Sequence, residues 1–450
     1  MAFSSLTIGA SGLYAAQRAV EVAAHNVANA NNEAFTRQRV TLQSALPTPG
    51  TAGMRGDGDR GTGVAILDIT RLRDRLADVS YRAEASISGA ADARAGTLAR
   101  ADSLLGTFGD GAPESLSSFL AAWNQLSLTP DDASARASVL AAGQRLAEGI
   151  NGAAQQLTTV GHEVALRVTD DVDELNGLLT SVAKLNYEIV KASTSDRSPN
   201  DLLDQRDAAL DRISQLTGAK MDPQADGSVN ISVGGVDLVN GITASTVATS
   251  GTEPVTVSVN GSTLAMGGEI GGYVATVGVD LPAYRAQLDA LAVGLRDAVN
   301  AAHRAGTGAD GSTGRDFFVG TDAVSLAVDP TLTGDGVAAS ASGATADGNN
   351  ALTIATALRQ GVAVGTQTFG DALRSFGGRV AQASTDATRN ARTAQASLAA
   401  AQTARSSLNG VSVDEEMVDL VKFQHSYEAA ARVISVADSM LDKLINEMVR

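Results

Sequence analysis

The two ends of the chain share one spacing of apolar positions. Within residues 413–450, the positions that would face a partner helix recur at alternating intervals of three and four, as in a coiled coil. These positions are Met417, Leu420, Gln424, Tyr427, Ala431, Ile434, Asp438, Leu441, Ile445 and Met448. Gln424 and Asp438 are expected to interrupt the seam and fix its register. A helix of about 35 residues extends roughly 50 Å, so it requires a partner of similar length.

The N-terminal segment supplies that partner. It repeats the same spacing at Leu6, Gly9, Leu13, Ala16, Val20, Ala23, Val27 and Ala30. We therefore predict that the termini, residues 1–45 and 405–450, lie side by side as a coiled-coil domain. The first helix should stop within residues 29–32, because asparagine favours turns.

Helical patterns also dominate the next part of the chain. After an extended segment at 36–43, a glycine-rich linker at 47–63 and a short strand at 64–69, helix is predicted from Asp74 to about Leu105. A second helix should open at Pro113 and end before Pro130, because proline is favoured at the first helical position. A third, very long helix begins at Asp131 or Asp132, and a fourth covers residues 199–218.

The apolar period then changes to two. Valines and isoleucines alternate on both sides of Gly234-Gly235 and before Asn260-Gly261, which predicts two hairpins and a small antiparallel β subdomain over residues 219–281. Helix returns at 282–305 and again from about 366 to 408, with Gly377-Gly378 as an expected interruption. We predict a mainly α fold with a small antiparallel β part, in which residues 46–218 and 282–404 form a long, rod-like helical bundle.

Composition excludes several classes of function. The net charge of −16 argues against binding to nucleic acid, which needs a basic surface. The absence of cysteine rules out thiolate catalysis, disulfides and zinc ribbons. No apolar run approaches the ~20 residues of a membrane span, and no cleavable signal peptide is recognisable. We therefore expect no insertion into a membrane.

Catalytic and metal-binding patterns are also missing from the sequence. The histidines at 25, 162, 303 and 425 have no second histidine at ligand spacing, and His25 and His425 alone make a poor zinc site. A loop beginning at Asp310 resembles the start of a calcium loop but has Thr321 where a bidentate glutamate is required. No nucleophile elbow of the Gly-x-Ser-x-Gly type is present. We expect no enzyme activity and no catalytic, cofactor or metal site.

One charged cluster allows two interpretations. Asp201, Asp204 and Asp207 recur every three residues on one broad face of the fourth helix, with Arg206 beside them and Arg212 further on. They could form a solvated face after a capped first turn. Alternatively, they could make a polar contact that fixes this helix against its neighbours in the bundle.

Four segments, taken in order, resemble the flagellar hook-associated protein 1 family. The segment 6–40 contains SGLYAAQRAVEVAAHNVANANNEAFTRQRV, which is similar to the N-terminus of flagellar axial proteins, and its Thr36-Arg37-Gln38 resembles this family in particular. The other three are PNDLLDQRD at 199–207, the step Asp316-Phe317-Phe318, and the ending SVDEEMVDLVKFQHSYEAAARVISVADSMLDKLI. Each motif alone is weak, but their order is specific.

The resemblance implies a structural subunit at the junction between hook and filament. It implies export from the cytoplasm through the flagellar type III apparatus without signal cleavage, so the final location is extracellular. Its partners would be copies of itself in a ring, the hook protein, hook-associated protein 3 and a flagellar export chaperone. The assembly interface would be an inner coiled-coil layer made of Leu6, Leu13, Val20, Val27, Met417, Leu420, Tyr427, Ile434, Leu441 and Ile445.

The chain departs from the family in one region. Larger members carry a substantial outer domain after the Asp-Phe-Phe step, whereas residues 319–351 offer only a short segment rich in small and polar residues. We expect a reduced outer segment or loop there. Two other functions stay open, namely another axial protein of the hook or rod type, and a secreted adhesin or enzyme carried on flagellar-type ends.

Overall fold

A computed structural model describes residues 2–32, 34–46, 61–193, 199–360, 362–364 and 367–448. The fold is mainly helical, as predicted, and four helices exceed 35 residues in length. The helices are α1 (Ala2–Ala28), α2 (Arg75–Leu128), α3 (Ala133–Ser193), α4 (Asn200–Thr217), α5 (Gly268–Ala275), α6 (Leu281–Ala305), α7 (Asn349–Gln360), α8 (Phe369–Asn409) and α9 (Val413–Met448). The predicted linker at 47–63 lies largely outside the described residues.

The strands form small antiparallel sheets. They are β1 (Gln38–Ser44), β2 (Val64–Arg71), β3 (Lys220–Pro223), β4 (Val229–Val233), β5 (Val236–Asn240), β6 (Thr243–Ala244), β7 (Val247–Ser250), β8 (Thr256–Val259), β9 (Ser262–Thr263), β10 (Phe318–Val319), β11 (Ala327–Val328), β12 (Val362–Val364) and β13 (Gln367–Thr368). The order β3-β4-β5-β6 makes a four-stranded sheet, and β7-β8-β9 makes a three-stranded one.

Both hairpins in this part of the chain are confirmed. β4 pairs with β5 around Gly234-Gly235, and β8 pairs with β9 around Asn260-Gly261. All four turn residues have positive φ, between 50° and 85°, which favours glycine and asparagine. The strands end at Thr263, however, and Gly268–Ala275 is helical rather than extended. Close approach explains the glycines there, since a Cβ at Gly272 would lie 2.5 Å from the Ala90 carbonyl oxygen.

The predicted break before Pro113 is wrong. α2 is one helix of 54 residues that runs through Pro113. Leu105, Phe108, Ala112 and Leu116 form one buried stripe across the proline. Because a continuous helix keeps all of these side chains in the core, their burial offsets the hydrogen bond that proline cannot donate.

The predicted interruption at Gly377-Gly378 is also wrong. α8 is continuous from Phe369 to Asn409. A Cβ at Gly377 would lie 3.2 Å from the Cα of Gly109 on α2, so the glycine permits close contact between two helices rather than a kink. Phe376, beside it, is buried and makes an edge contact with Phe108, with ring centroids 5.9 Å apart.

The segment 319–351, for which no fold was predicted beyond a loop, packs against the bundle. Phe317 and Phe318 are fully buried, and Asn300 of α6 holds both, because its Oδ1 accepts hydrogen bonds of 2.9 Å from each backbone N–H. Its Nδ2 donates to the Phe318 carbonyl oxygen over 2.7 Å. The Asp-Phe-Phe step therefore anchors this segment to the core through aromatic burial and a satisfied amide.

His303 lies in the same core. Its Nδ1 is 2.8 Å from the Arg315 carbonyl oxygen, and its Nε2 accepts a hydrogen bond of 3.0 Å from the Ala338 N–H. Both bonds are made by a neutral ring that carries its proton on Nδ1. Burial lowers the pKa of His303 from its ordinary value of 6.5.

We predict that this histidine makes the fold sensitive to mild acid. A lowered pKa means that its contribution is complete above pH 6.5 and is lost as pH falls below it. Between pH 7.5 and 5.5 we expect the free energy of unfolding to fall by about 1 kcal/mol more in the unchanged chain than in His303→Gln. Urea unfolding at both values measures the difference. His162→Gln, at an exposed histidine, is the control and should respond to pH as the unchanged chain does. An equal pH response in His303→Gln and in the unchanged chain would contradict the prediction.

Candidate assembly surface

The two terminal helices lie side by side, as predicted. Asn26 of α1 bonds Glu416 near the start of α9, while Gly12 faces Ala430 further along. The helices are therefore antiparallel. At Gly9 an added Cβ would lie 2.8 Å from a side-chain carbon of Ile434, so this glycine lets α9 approach the backbone of α1.

The seam between these helices uses smaller residues than expected. On α1, the alanines at 16, 19 and 23 are buried, whereas the predicted Leu6, Leu13, Val20 and Val27 are half-buried. On α9, the predicted Leu420, Ile434 and Leu441 are half-buried. Met417, Tyr427 and Ile445 are 48%, 41% and 59% exposed. Seven of the ten predicted positions are thus half-buried in the single chain, and three are exposed.

The polar interruptions predicted for the α9 seam are not there. Gln424 and Asp438 are exposed, and the neighbouring Phe423 and Ala437 turn inward instead, with Ala437 buried. Alternate positions of the predicted seam are therefore shifted by one residue, because burying apolar side chains costs less than burying an amide or a carboxylate.

α9 also carries two sets of exposed apolar side chains, which together we call the outer face. A near set, Val413, Met417, Val418 and Val421, and a far set, Val433, Val436, Met440 and Ile445, are each 45–69% exposed. Between the two sets lie exposed charged or titratable side chains at Lys422, His425, Glu428 and Arg432. Ile8 and Tyr14 of α1 are exposed as well, at 41% and 59%. Exposed apolar patches of this kind are characteristic of interaction sites.

A buried polar cluster closes one end of the terminal pair. We call it the terminal node and define it as Asn26, Arg37, Gln38 and Glu416. Asn26 Nδ2 donates to the Gln38 carbonyl oxygen and to Glu416 Oε2, each over 2.9 Å, and its Oδ1 accepts from the Gln38 N–H over 3.0 Å. Arg37 Nε donates to Glu416 Oε1 over 2.6 Å, and Arg37 Nη1 donates to Glu415 over 2.7 Å.

The acidic motif of α4 connects this node to the bundle. Asp201 Oδ1 accepts a hydrogen bond of 3.2 Å from Gln38 Nε2, and Asp204 Oδ2 accepts one of 3.1 Å from the Thr36 N–H. Asp204 Oδ1 also accepts from Arg71 over 2.7 Å. The segment that leaves α1 is therefore attached to α4 along two turns.

Asp207 and Asp211 extend the attachment to α2 and α8. Four arginines donate to these two carboxylates, and they are Arg71, Arg73, Arg82 and Arg405. Asp204 and Asp207 are both buried. The interpretation of the motif as a contact that fixes the helix is thus confirmed, and the solvated face is wrong.

The neighbouring arginines determine the protonation of Asp207. Burial opposes its ionisation, but the guanidinium groups of Arg73, Arg71 and Arg82 outweigh that cost and lower the pKa of this carboxyl below its ordinary value. Arg206 points the other way, and its Nη1 donates to Asn186 over 3.0 Å and to the Gly227 carbonyl oxygen over 2.7 Å. α4 therefore bonds the terminal segments on one face and the four-stranded sheet on the other.

No role was predicted for Arg71, Arg73, Arg82 or Arg405. A signal for two of them exists in the sequence, because Arg71 and Arg73 are two residues apart in an extended segment, which places both on one side. Asp207, the acidic partner that they share, lies more than 130 residues further along, and only the fold brings it to them.

We also searched this surface for metal-binding groups and for membrane-spanning helices. Among the described residues no group of three or more histidine, aspartate or glutamate side chains is placed to hold a metal ion. His25 contacts Phe35 edge-on, with ring centroids 5.1 Å apart, and His425 lies beside Glu428 at a different level of the pair. A search of the described helices finds none with the length and apolar character of a membrane span.

Comparison with protein families finds three matches along the chain. The family described as "Flagellar hook-associated protein FlgK helical domain" matches residues 98–318. The N-terminal residues 6–36 match "Flagella basal body rod protein", and residues 405–447 match "Flagellar basal body rod FlgEFG protein C-terminal". The two terminal matches coincide with α1 and α9.

Individual relatives agree with these matches. Flagellar hook-associated protein 1 of Bacillus subtilis is 30% identical over 99% of this chain and 98% of that protein. The protein of the same name from Escherichia coli is 30% identical over 70% of this chain, which spans 60% of its length. The solved structure of the flagellar hook junction protein FlgK from Burkholderia pseudomallei shares the fold, with a TM-score of 0.65, 17% identity, and coverage of 74% of this chain and all of that one. The chain therefore belongs to the flagellar hook-associated protein 1 family, whose members are structural components of the bacterial flagellum.

Proposed function

We propose that this protein is a structural subunit at the junction of hook and filament, and that it assembles into a ring through its terminal helices. The observation that carries the proposal is the outer face of α9, whose eight apolar residues stay exposed although α9 already pairs with α1. A ring of identical subunits needs two different, complementary surfaces on each copy. The outer face of one copy would meet the α1 side of the next.

The charges on the two surfaces support this arrangement. The belt between the two apolar sets of α9 carries Lys422, His425 and Glu428. At a similar level on α1, Arg18 and Glu21 are exposed and bonded to each other over 2.7 Å. A neighbour placed at the same height would set opposite charges side by side, while Ile8 would lie level with the start of the far set. Such complementarity favours one register between copies.

Family membership supports a proposal for export and for the remaining partners. We propose that the chain leaves the cytoplasm through the flagellar type III apparatus, held beforehand by a chaperone that binds α9 as an amphipathic helix. In the flagellum it would contact the hook protein on one side and hook-associated protein 3 on the other. The reduced segment at 319–351 would leave these contacts to the helical bundle and the terminal pair.

A double variant in the far set tests the assembly surface. Val436→Glu with Met440→Glu places two carboxylates where apolar contacts between copies are proposed. In a strain that lacks its own copy, we expect this variant to abolish swimming in soft agar and to appear in the medium as unassembled chain. Leu166→Glu, at a residue of α3 that is 68% exposed, is the matched control and should swim normally.

Whether the variant chain is found inside the cell or in the medium distinguishes a failure of export from a failure of assembly. A variant that stays inside the cell has failed in export, which would place the far set in the export step and contradict its role in assembly. Normal swimming of the double variant would contradict the outer face as an assembly surface.

A further inference from the structure

The terminal node is a complete polar cluster in an otherwise apolar contact. Asn26, Gln38 and Glu416 are only 1%, 8% and 3% exposed. Burying an amide and a carboxylate together is costly unless each polar atom finds a partner. Here the amide of Asn26 uses both of its atoms, and both carboxylate oxygens of Glu416 accept a hydrogen bond.

This geometry distinguishes one register from all others. The rest of the seam is built from alanine, glycine and half-buried aliphatic residues, among which the close contact of Gly9 with Ile434 also favours this register. A slip of α9 by one turn would move the Glu416 carboxylate about 5.4 Å and leave Asn26 and the carboxylate without each other. A buried polar residue of this kind specifies register in coiled coils.

The node is also attached to the bundle. Gln38 bonds Asp201 through its side chain, and the Arg37 N–H donates to the Asn409 carbonyl oxygen over 3.2 Å at the end of α8. The Asn409 Oδ1 in turn accepts from the Asp74 N–H over 3.2 Å, just before α2. The segment that binds Glu416 is therefore itself attached to α4 and to the end of α8, which in turn is bonded just before α2.

We propose that the terminal node is a positioning latch. It fixes the register of α9 on α1 and the direction in which the pair leaves the bundle, and it acts within a single chain before any contact between copies. The proposal goes beyond the assembly function, because it concerns how one subunit presents its outer face and does not depend on the identity of its neighbours.

Spin labels can measure the latch directly. The chain contains no cysteine, so cysteines introduced at the exposed Ala10 and Val436 are unique labelling sites on the two helices. Double electron–electron resonance on the full chain should give one narrow distance distribution. In Asn26→Asp, two carboxylates would face each other and the donors to Gln38 and Glu416 would be lost. We expect the distribution to broaden or shift, since a slip of one turn displaces the two labels by about 5.4 Å along the helix axis.

A second exchange provides the rescue. Adding Glu416→Gln to Asn26→Asp swaps the amide and the carboxylate across the contact, so that the new amide can donate to position 26 and accept from Arg37. We expect the narrow distance to return. Asn31→Asp, the same exchange at an exposed asparagine nearby, is the control and should change nothing.

The sole tryptophan distinguishes a local change at the node from unfolding of the bundle. Trp123 is fully buried in the bundle, near the C-terminal end of α2 and therefore far along that helix from the node, so its fluorescence reports folding of the bundle alone. An unchanged narrow distance in Asn26→Asp, a broad one in the unchanged chain, or a failed rescue would each overturn the latch. Loss of the buried Trp123 emission in Asn26→Asp would also overturn it, because the node would then support the whole fold.

Discussion

Exchange of Asp207 for asparagine should lower the free energy of unfolding by about 3 kcal/mol, since breaking a buried ion pair leaves an uncompensated charge. Three guanidinium groups, those of Arg71, Arg73 and Arg82, donate to this carboxylate at the contact between α4, β2 and α2. Without its negative charge, the three cations would lie close together with less compensation. Urea unfolding followed by Trp123 fluorescence and by circular dichroism measures the loss.

The pH dependence of this effect has a defined sign. The pKa of Asp207 is lowered from its ordinary value of 3.8, so its contribution is present above about pH 4 and is lost as pH falls through the folded-state pKa. We therefore expect the gap between the unchanged chain and Asp207→Asn to be constant from pH 7 to 5 and to shrink below pH 4.

A matched control lies in the same motif. Asp201 is exposed and accepts one side-chain hydrogen bond of 3.2 Å, from Gln38. Asp201→Asn makes the same chemical change and should cost less than about 0.5 kcal/mol, as exposed substitutions usually do. Equal losses in the two variants would show that the arginine cluster does not stabilise the fold through the charge of Asp207.

The same acidic motif shows how far sequence reasoning reached. Its spacing placed three carboxylates on one face of α4, and the cap at Gly218 ended that helix where predicted, in the left-handed conformation that suits glycine. The choice between a solvated and a buried face could not be made, because it depends on arginines contributed by β2, α2 and α8. Local pattern indicates which residues share a face, and only tertiary contacts decide what that face meets.

The terminal helices show the same limit in a different way. Periodicity correctly predicted two long helices at opposite ends of the chain that pack side by side. It did not predict the shift on α9 that buries Ala437 and exposes Asp438, because intervals of three and four fit two adjacent stripes of one helix. The partner surface, rich in alanine and glycine on α1, selected between them.

Glycines were misread for a related reason. At Gly377 the sequence indicated a break, but the missing side chain serves contact with Gly109 instead. Proline at 113 was likewise taken as a helix start, although the apolar stripe runs across it. In both cases packing between long helices outweighs the local preference of one residue.

Gly143 offers the sharpest test of this packing argument. A Cβ at this position on α3 would lie 2.7 Å from Cε1 and 3.0 Å from Cζ of Phe317, and 3.1 Å from Cε2 of Phe119. Both rings are fully buried and contact each other, with centroids 5.5 Å apart, so neither can move without disturbing the aromatic cluster. We expect Gly143→Ala to lower the free energy of unfolding by about 2 kcal/mol, a typical cost of overpacking.

Gly149, six residues further along α3, should respond with the opposite sign. It is exposed, and an added Cβ would meet no atom within 4 Å. Gly149→Ala should therefore raise the free energy of unfolding by up to about 1 kcal/mol, because alanine favours helix over glycine. Since helix propensity alone predicts a gain at both sites, urea unfolding of the two variants separates propensity from packing. A gain at Gly143 would mean that the Phe317 ring has room to move, and the Asp-Phe-Phe step would then not hold segment 319–351 as tightly as its buried contacts indicate.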